Sequence, residues 1–212
     1  MAKTAVLFDL DGVIINTEGQ YTTFWTEIGN TYLPHNPNFA PQIKGHTLTQ
    51  IISAYFKDET IAQQVVEKLN AFELHMSYPY IKGASDFVSE LRKAGIPTAI
   101  VTSSNQAKMD CLYKQHPELP QLFDRVFTAE NARRSKPAPD CYIDAAKALG
   151  LEAKDCFVFE DSISGLTAGR DSGATVVGLT TTNSAERIAP LCQYVINDLS
   201  EITVAQMCNL KK

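Results

Sequence analysis

Several things are scarce in this 212-residue chain, and each scarcity excludes a class. No apolar run approaches the roughly 20 residues of a membrane span. The N-terminus carries one lysine before a short apolar stretch that Asp9 interrupts, which does not read as a signal peptide. Nineteen Lys and Arg stand against 24 Asp and Glu, a formal net charge of −5, so there is no basic footprint for nucleic acid. The five cysteines (Cys111, Cys141, Cys156, Cys192, Cys208) are odd in number, widely spaced and without a Cys-x-x-Cys pair. They suggest neither a disulfide framework nor a zinc site, and read mostly as small core residues in a reduced cytoplasm. No repeat or low-complexity segment is visible. The expectation is a cytoplasmic protein, monomeric by default, with no nucleic-acid or membrane partner. At 44% hydrophobic and 20% charged, the chain suits one large domain, or one with a smaller insert.

The chain is organised around residues 3–15, KTAVLFDLDGVII. Ala5-Val6-Leu7-Phe8 reads as a strand buried on both faces, ending abruptly in Asp9-Leu10-Asp11-Gly12. Two carboxylates at the mouth of a buried strand are costly unless a cation or hydrogen bonds compensate them. Gly12 indicates that the backbone turns there. Taken alone, this Asp-x-Asp fits a polar turn as well as a site.

Asn16 or Thr17 is placed to cap a helix running to about Ile28, with Phe24, Trp25 and Ile28 at helical spacing and Trp25 in packing. Residues 30–47 read as loop, with Pro34, Pro37 and Pro41 breaking any helix. Residues 49–56 and 58–76 read as two helices with apolar stripes. Residues 17–80 therefore form a helical insert, a cap over the mouth of the first strand, on a core of residues 1–16 and 81–212. From Gly83 helices and strands alternate. Helices are expected at 84–94, from Ser103-Ser104-Asn105 to about 116, at 138–149, 162–172 and 183–190, with a helical tail at 199–209. Strands are expected at 97–102, 124–128, 155–159, 174–179 and 194–196. This alternation predicts an α/β fold, a Rossmann-like parallel sheet with helices on both faces, whose ligands bind beyond the strands' carboxyl ends.

The notable polar residues fall at such ends. Asp9 and Asp11 follow the first strand, Thr102 and Ser103 the second, and Glu160 and Asp161 the strand DCFVF. Lys136 lies on the loop RRSKPAPD. Each has a plain alternative: Thr-Ser-Ser and Glu160-Asp161 as helix caps, Lys136 as a solvated surface group. If the sheet is parallel, all four regions share one edge.

FDLDGVIINTE, IVTSS, SKPAPD and FEDSISG, in this order and at these distances, resemble the four motifs of the haloacid dehalogenase superfamily. More narrowly they are similar to its β-phosphoglucomutase-like phosphatases and mutases, and the insert lies where that family places its cap. The resemblance implies Asp9 as nucleophile, forming an aspartyl-phosphate, and Asp11 as general acid and base, protonated when attack begins. It implies Mg²⁺ held by Asp9, the backbone carbonyl of Asp11 and Asp161, with Glu160 assisting directly or through water. Thr102, through its hydroxyl, and Ser103, through its backbone N–H at a helix start, would bind the phosphoryl oxygens. Lys136 would neutralise phosphate charge and restrain Asp9. The substrate implied is a small phosphorylated molecule.

Weaker features are Gly165, for close approach of helix to sheet, Arg134 at the entrance, and Lys44 or His46 facing substrate from the cap. Where the β-phosphoglucomutases carry a cap arginine, a cap histidine and an Asp-Thr pair, the corresponding residues are Leu48, Tyr21 and Asn16-Thr17. These departures favour phosphomonoester hydrolysis over the mutase alternative. A non-catalytic phosphate-binding protein is the remaining reading.

Overall fold

The computed structural model describes residues 4–210; Lys3, which opens the organising stretch, lies outside them. From the N-terminus, β1 (Ala5–Phe8) leads into a helical block of α1 (Glu18–Tyr32), α2 (Phe39–Gln42), α3 (Leu48–Tyr55) and α4 (Glu59–His75). The chain then alternates: α5 (Ala84–Lys93), β2 (Thr98–Val101), α6 (Gln106–Gln115), α7 (Leu119–Leu122), β3 (Arg125–Phe127), α8 (Asp140–Ala148), β4 (Cys156–Glu160), α9 (Ile163–Asp171), β5 (Thr175–Leu179), α10 (Ala185–Ile188), β6 (Tyr194–Ile196) and α11 (Val204–Asn209). The sheet order is β3-β2-β1-β4-β5-β6, and every pairing is parallel. This is the expected Rossmann-like α/β fold.

The apolar run of β1 is explained by its two neighbours. Val6 and Phe8 pack with α5, α6 and α11 residues such as Phe87, Leu112 and Met207. Ala5 and Leu7 pack on the other face with Tyr142, Ala145 and Leu166 of α8 and α9. Successive side chains alternate between faces, and both faces are covered, so no residue of the strand can be polar. The strand order reverses between β1 and β4, which opens a crevice at their carboxyl ends.

The block from α1 to α4 has an apolar centre of its own, including Phe24, Trp25, Phe39, Ile51, Val65 and Leu69. Phe24 stacks on Phe72 with ring centroids 4.7 Å apart. Two adjacent linkers join this block to the sheet: the Asn16 N–H donates to the Pro79 carbonyl at 2.7 Å, and the Ile81 N–H to the Ile14 carbonyl at 2.8 Å.

The structure differs from expectation in places with clear causes. α1 continues past Ile28 to Tyr32, whose ring meets Phe56 edge-on. Thr17 takes the N-cap position but makes no capping bond; its side chain is turned to Asp11, to which the hydroxyl donates. Pro41 does not prevent α2; it falls in the first turn, where the missing N–H has no intrahelical partner to lose. Pro139 is the N-cap of α8, and residues 189–191 continue α10 as a 3₁₀ turn. The tail divides into a 3₁₀ turn, Leu199–Glu201, and α11. Of the five cysteines, Cys141 and Cys156 are buried, Cys111 and Cys192 half-buried and Cys208 exposed. Among the described residues, no helix is long and apolar enough to cross a membrane.

Candidate active site

Asp9 extends β1 by one ladder bond, its N–H donating to the Phe159 carbonyl of β4 at 3.0 Å. Its side chain thus emerges at the switch point. Three residues on, Gly12 adopts φ +79° and turns the chain away; a Cβ there would collide with the Asp161 carboxylate. Only glycine allows the first acidic loop to approach the loop after β4 so closely.

Lys136 converges on the same point. Its buried ammonium lies 2.7 Å from Asp9 Oδ1, 2.7 Å from Glu160 Oε1 and 3.0 Å from the Val101 carbonyl at the end of β2. Burial works against its charge, but the Asp9 and Glu160 carboxylates outweigh that and raise its pKa well above the ordinary lysine value.

Asp9, Glu160 and Asp161 each bring one oxygen within 4.8 Å of the others. Their environments differ sharply. Glu160 Oε1 accepts from Lys136 and from the Tyr142 hydroxyl, and Oε2 from the N–H groups of Asp161 and Ser162 and from the Ser162 hydroxyl. These bonds anchor Glu160 and shape the loop after β4. Of the two roles expected of Glu160, assisting a metal directly or through water, the direct one competes with these five hydrogen bonds. The cap reading of this pair falls to Ser162, whose hydroxyl accepts from the Gly165 N–H at 3.0 Å. A Cβ at Gly165 would strike the Glu160 carboxylate, which explains that glycine.

Asp161 is the opposite case. It is 1% exposed, and neither side-chain oxygen has a hydrogen-bond partner. An orphaned buried carboxylate costs several kcal/mol, on the order of 1–3 or more. Burial, then Glu160 and Asp9, push its pKa well up. Burial also pushes Asp9 up, to about 7; Glu160 and Asp11 add to the rise and Lys136 opposes it. Asp161 has no cation beside it and Asp9 shares Lys136 with Glu160, and hard oxygen donors of this kind suit a divalent cation such as Mg²⁺.

Asp11 shows the reverse shift. Burial would raise it, but the Lys108 ammonium, 2.5 Å from each oxygen, and hydroxyls of Thr17 and Ser104 lower it below the usual carboxylate value. The two aspartates therefore do differ, as acid–base chemistry requires. The sense is the opposite of that expected for a proton donor, since this arrangement holds Asp11 ionised.

The Thr102 hydroxyl accepts from the Ser104 N–H at 3.0 Å, which leaves its own hydrogen to donate. The Ser103 hydroxyl donates to the Gly45 carbonyl in the helical block. Helix α6 starts only at Gln106, capped by Asn105, so Ser103 precedes the helix rather than opening it. All seven residues expected at the site line one cavity between sheet and helical block, together with Tyr21, Trp25, Leu48, Glu73 and Lys108. Lys44 and His46 line it too, Lys44 in an ion pair with Glu18 at 3.0 Å. Arg134 does not border this entrance; it pairs with Asp140 at 2.7 Å.

Sequence reasoning missed Lys108 and Glu73. Lys108 precedes the inward Met109 and carried no signal. Glu73 did: it continues the buried stripe Val65, Leu69 at the next helical step, where a carboxylate is out of place.

The fold and site define a class: a parallel α/β protein with buried carboxylates, a lysine and hydroxyl donors at its switch point, under a helical block. The profile of the haloacid dehalogenase-like hydrolases matches residues 3–173, and the chain belongs to that family of hydrolases. It is 29% identical over 209 residues to the validoxylamine A 7′-phosphate phosphatase of Streptomyces hygroscopicus subsp. limoneus, covering 95% of this chain and 96% of that protein. It is 27% identical over 238 residues to a β-phosphoglucomutase of Mycobacterium tuberculosis (strain CDC 1551 / Oshkosh), covering 93% and 90%. Among solved structures it resembles a HAD hydrolase, family IA, variant 3, from Entamoeba histolytica HM-1:IMSS, with a TM-score of 0.81, 27% identity and coverage of 96% and 97%.

Proposed function

We propose that the chain is a Mg²⁺-dependent phosphomonoester hydrolase acting on a small sugar or related metabolite phosphate. The observation that carries this is the pairing of an unpartnered Asp161 with an Asp9 restrained by Lys136. Residues 17–80 serve as cap, and residues 1–16 and 81–212 as core. Asp9, the Asp11 carbonyl and Asp161 would hold the metal, with Glu160 assisting directly or through water. When bound, Mg²⁺ supplies positive charge to the phosphoryl oxygens and keeps Asp9 ionised.

The Asp9 carboxylate attacks phosphorus while Thr102, the Ser103 N–H and Lys136 hold the phosphoryl oxygens. The bond to the leaving oxygen breaks, and that oxygen takes a proton from Asp11, which has to take that proton up as substrate binds, since Lys108 holds it ionised in the free protein. Asp11, now ionised, removes a proton from water, which attacks phosphorus, releases phosphate and restores Asp9. A cytoplasmic location fits cysteines that are odd in number, widely spaced and without a Cys-x-x-Cys pair.

A phosphate-release screen across sugar and metabolite phosphates with Mg²⁺ should find turnover of at least one. Failure on all of them, aryl and acetyl phosphate included, would favour a binding protein. Leu48 lining the cavity supports hydrolase over mutase, since it offers no cationic grip for a second phosphate. Conversion of β-glucose 1-phosphate to glucose 6-phosphate with catalytic glucose 1,6-bisphosphate, without phosphate release, would reverse that preference.

Metal binding has a readout independent of turnover. At about 100 times its Kd, Mg²⁺ should stabilise the protein by about 2.7 kcal/mol. For a chain of this size that is a melting shift of roughly 5–10 °C. Asp161→Asn should melt higher than the parent without divalent metal, because it removes a buried unpaired charge, and should lose the Mg²⁺-dependent shift. A variant retaining the full shift would exclude Asp161 as a ligand.

A further inference from the structure

Lys108 is the buried cation that the proposed chemistry leaves without a role. It is 3% exposed, it lines the substrate cavity, and its ammonium faces both oxygens of Asp11 at 2.5 Å. Its backbone is fixed by the start of α6: the Asn105 side chain accepts the Lys108 N–H at 2.9 Å. The ammonium is therefore delivered from a pinned first helical turn. From above, the Tyr21 ring of α1 covers it, 4.5 Å from Nζ to the centroid. The Tyr21 hydroxyl donates to Glu73 Oε1 at 2.7 Å, which ties that ring to α4.

Three separate segments thus hold the Asp11 carboxyl: Thr17 at the entry to α1, Ser104 before α6, and Lys108 inside α6. An aspartate two bonds from its backbone has several rotamers, and only one can meet the leaving oxygen. Fixing that rotamer before substrate arrives removes an orientational cost from the chemical step.

We propose that Lys108 is a positioning residue for Asp11, aiming its carboxyl at the leaving-group oxygen, and that Tyr21 and Glu73 of the helical block hold Lys108 in place. This rests on the phosphatase reading above. Lys108 touches no reacting atom in this account. Its effect reaches the reaction only through Asp11.

The test is a leaving-group comparison combined with a double-mutant cycle, read as kcat/KM so that only steps up to phosphoryl transfer count. Lys108→Met should lower kcat/KM for a sugar phosphate by about 10- to 100-fold, a part of the typical general-acid contribution. For p-nitrophenyl phosphate, whose leaving group needs little protonation, the loss should be below about threefold on the same grounds. In an Asp11→Asn background, Lys108→Met should cost less than about twofold for either substrate, since the residue it orients is gone. Lys108→Gln, which keeps a donor on a side chain one atom shorter, should show the same pattern at smaller amplitude, and serves if the methionine variant does not fold. Equal losses for both leaving groups, or a full loss persisting in the Asp11→Asn background, would overturn the positioning role. A parent protein inert toward every phosphoester would instead overturn the proposed function.

Discussion

Asp9→Asn should give a folded protein that releases phosphate about 10⁴- to 10⁶-fold more slowly than the parent, the scale seen when an enzyme's nucleophile is removed. The substitution is nearly isosteric, and the amide nitrogen and oxygen have no anionic charge with which to attack phosphorus. The fold has no reason to suffer. Asp9 sits at about 7 because burial and the neighbouring Glu160 and Asp11 carboxylates oppose its charge. Removing that charge relieves repulsion within the acidic cluster, while Lys136 keeps its bonds to Glu160 and the Val101 carbonyl. Melting temperature without metal should hold or rise. Phosphate release and thermal melting on one preparation check both halves. Substantial residual turnover would remove Asp9 from the nucleophile role.

Lys136→Met has the opposite signature, because it damages stability as well as turnover. The lysine is the shared counter-ion of Asp9 and Glu160, and all three side chains are buried. Breaking a buried pair by removing one partner typically costs about 3–5 kcal/mol, since an uncompensated charge is left inside. At about 2–4 °C per kcal/mol for a chain of this length, melting should fall by roughly 6–20 °C. Activity should fall by about 10²–10³-fold or more, as when one positioned donor to a charged transition state is lost. Lys136→Arg should rescue neither property fully. The ammonium reaches three acceptors and packs 5.0 Å from the Tyr142 ring, in a space shaped for a point charge rather than a planar fork. A variant that melted with the parent would show that the convergence at Lys136 is not energetically important.

The residues that converge here were legible in the sequence because of where they fall. Asp9, Thr102 and Asp161 each follow a run of buried residues, and a parallel sheet delivers all such ends to one edge. Lys136 was legible only through its motif, since nothing local distinguishes it from a surface lysine. Other features were hidden for identifiable reasons. The Thr17 hydroxyl had two possible partners, and only the folded loop reveals that it donates to Asp11 and accepts from no helix amide. Lys108 stands beside an apolar stripe, and whether its long stem turns toward solvent or inward depends on α1 packing above it. Glu160 was expected to assist a metal directly or through water, and sequence order could not show that the amides after β4 and the Lys136 ammonium also use its oxygens. Long-range geometry decided each of these, and no local pattern encodes it.

Asp9 as the site of a covalent phosphoryl intermediate can be tested most directly by trapping. The protein is quenched in acid during turnover, treated with borohydride and analysed by peptide mass spectrometry. Reduction converts an acyl phosphate to the alcohol and leaves a free carboxylate untouched. The account predicts homoserine at position 9, present only when substrate and Mg²⁺ were both supplied. Turnover with no modified residue, or with the modification at any other side chain, would contradict it.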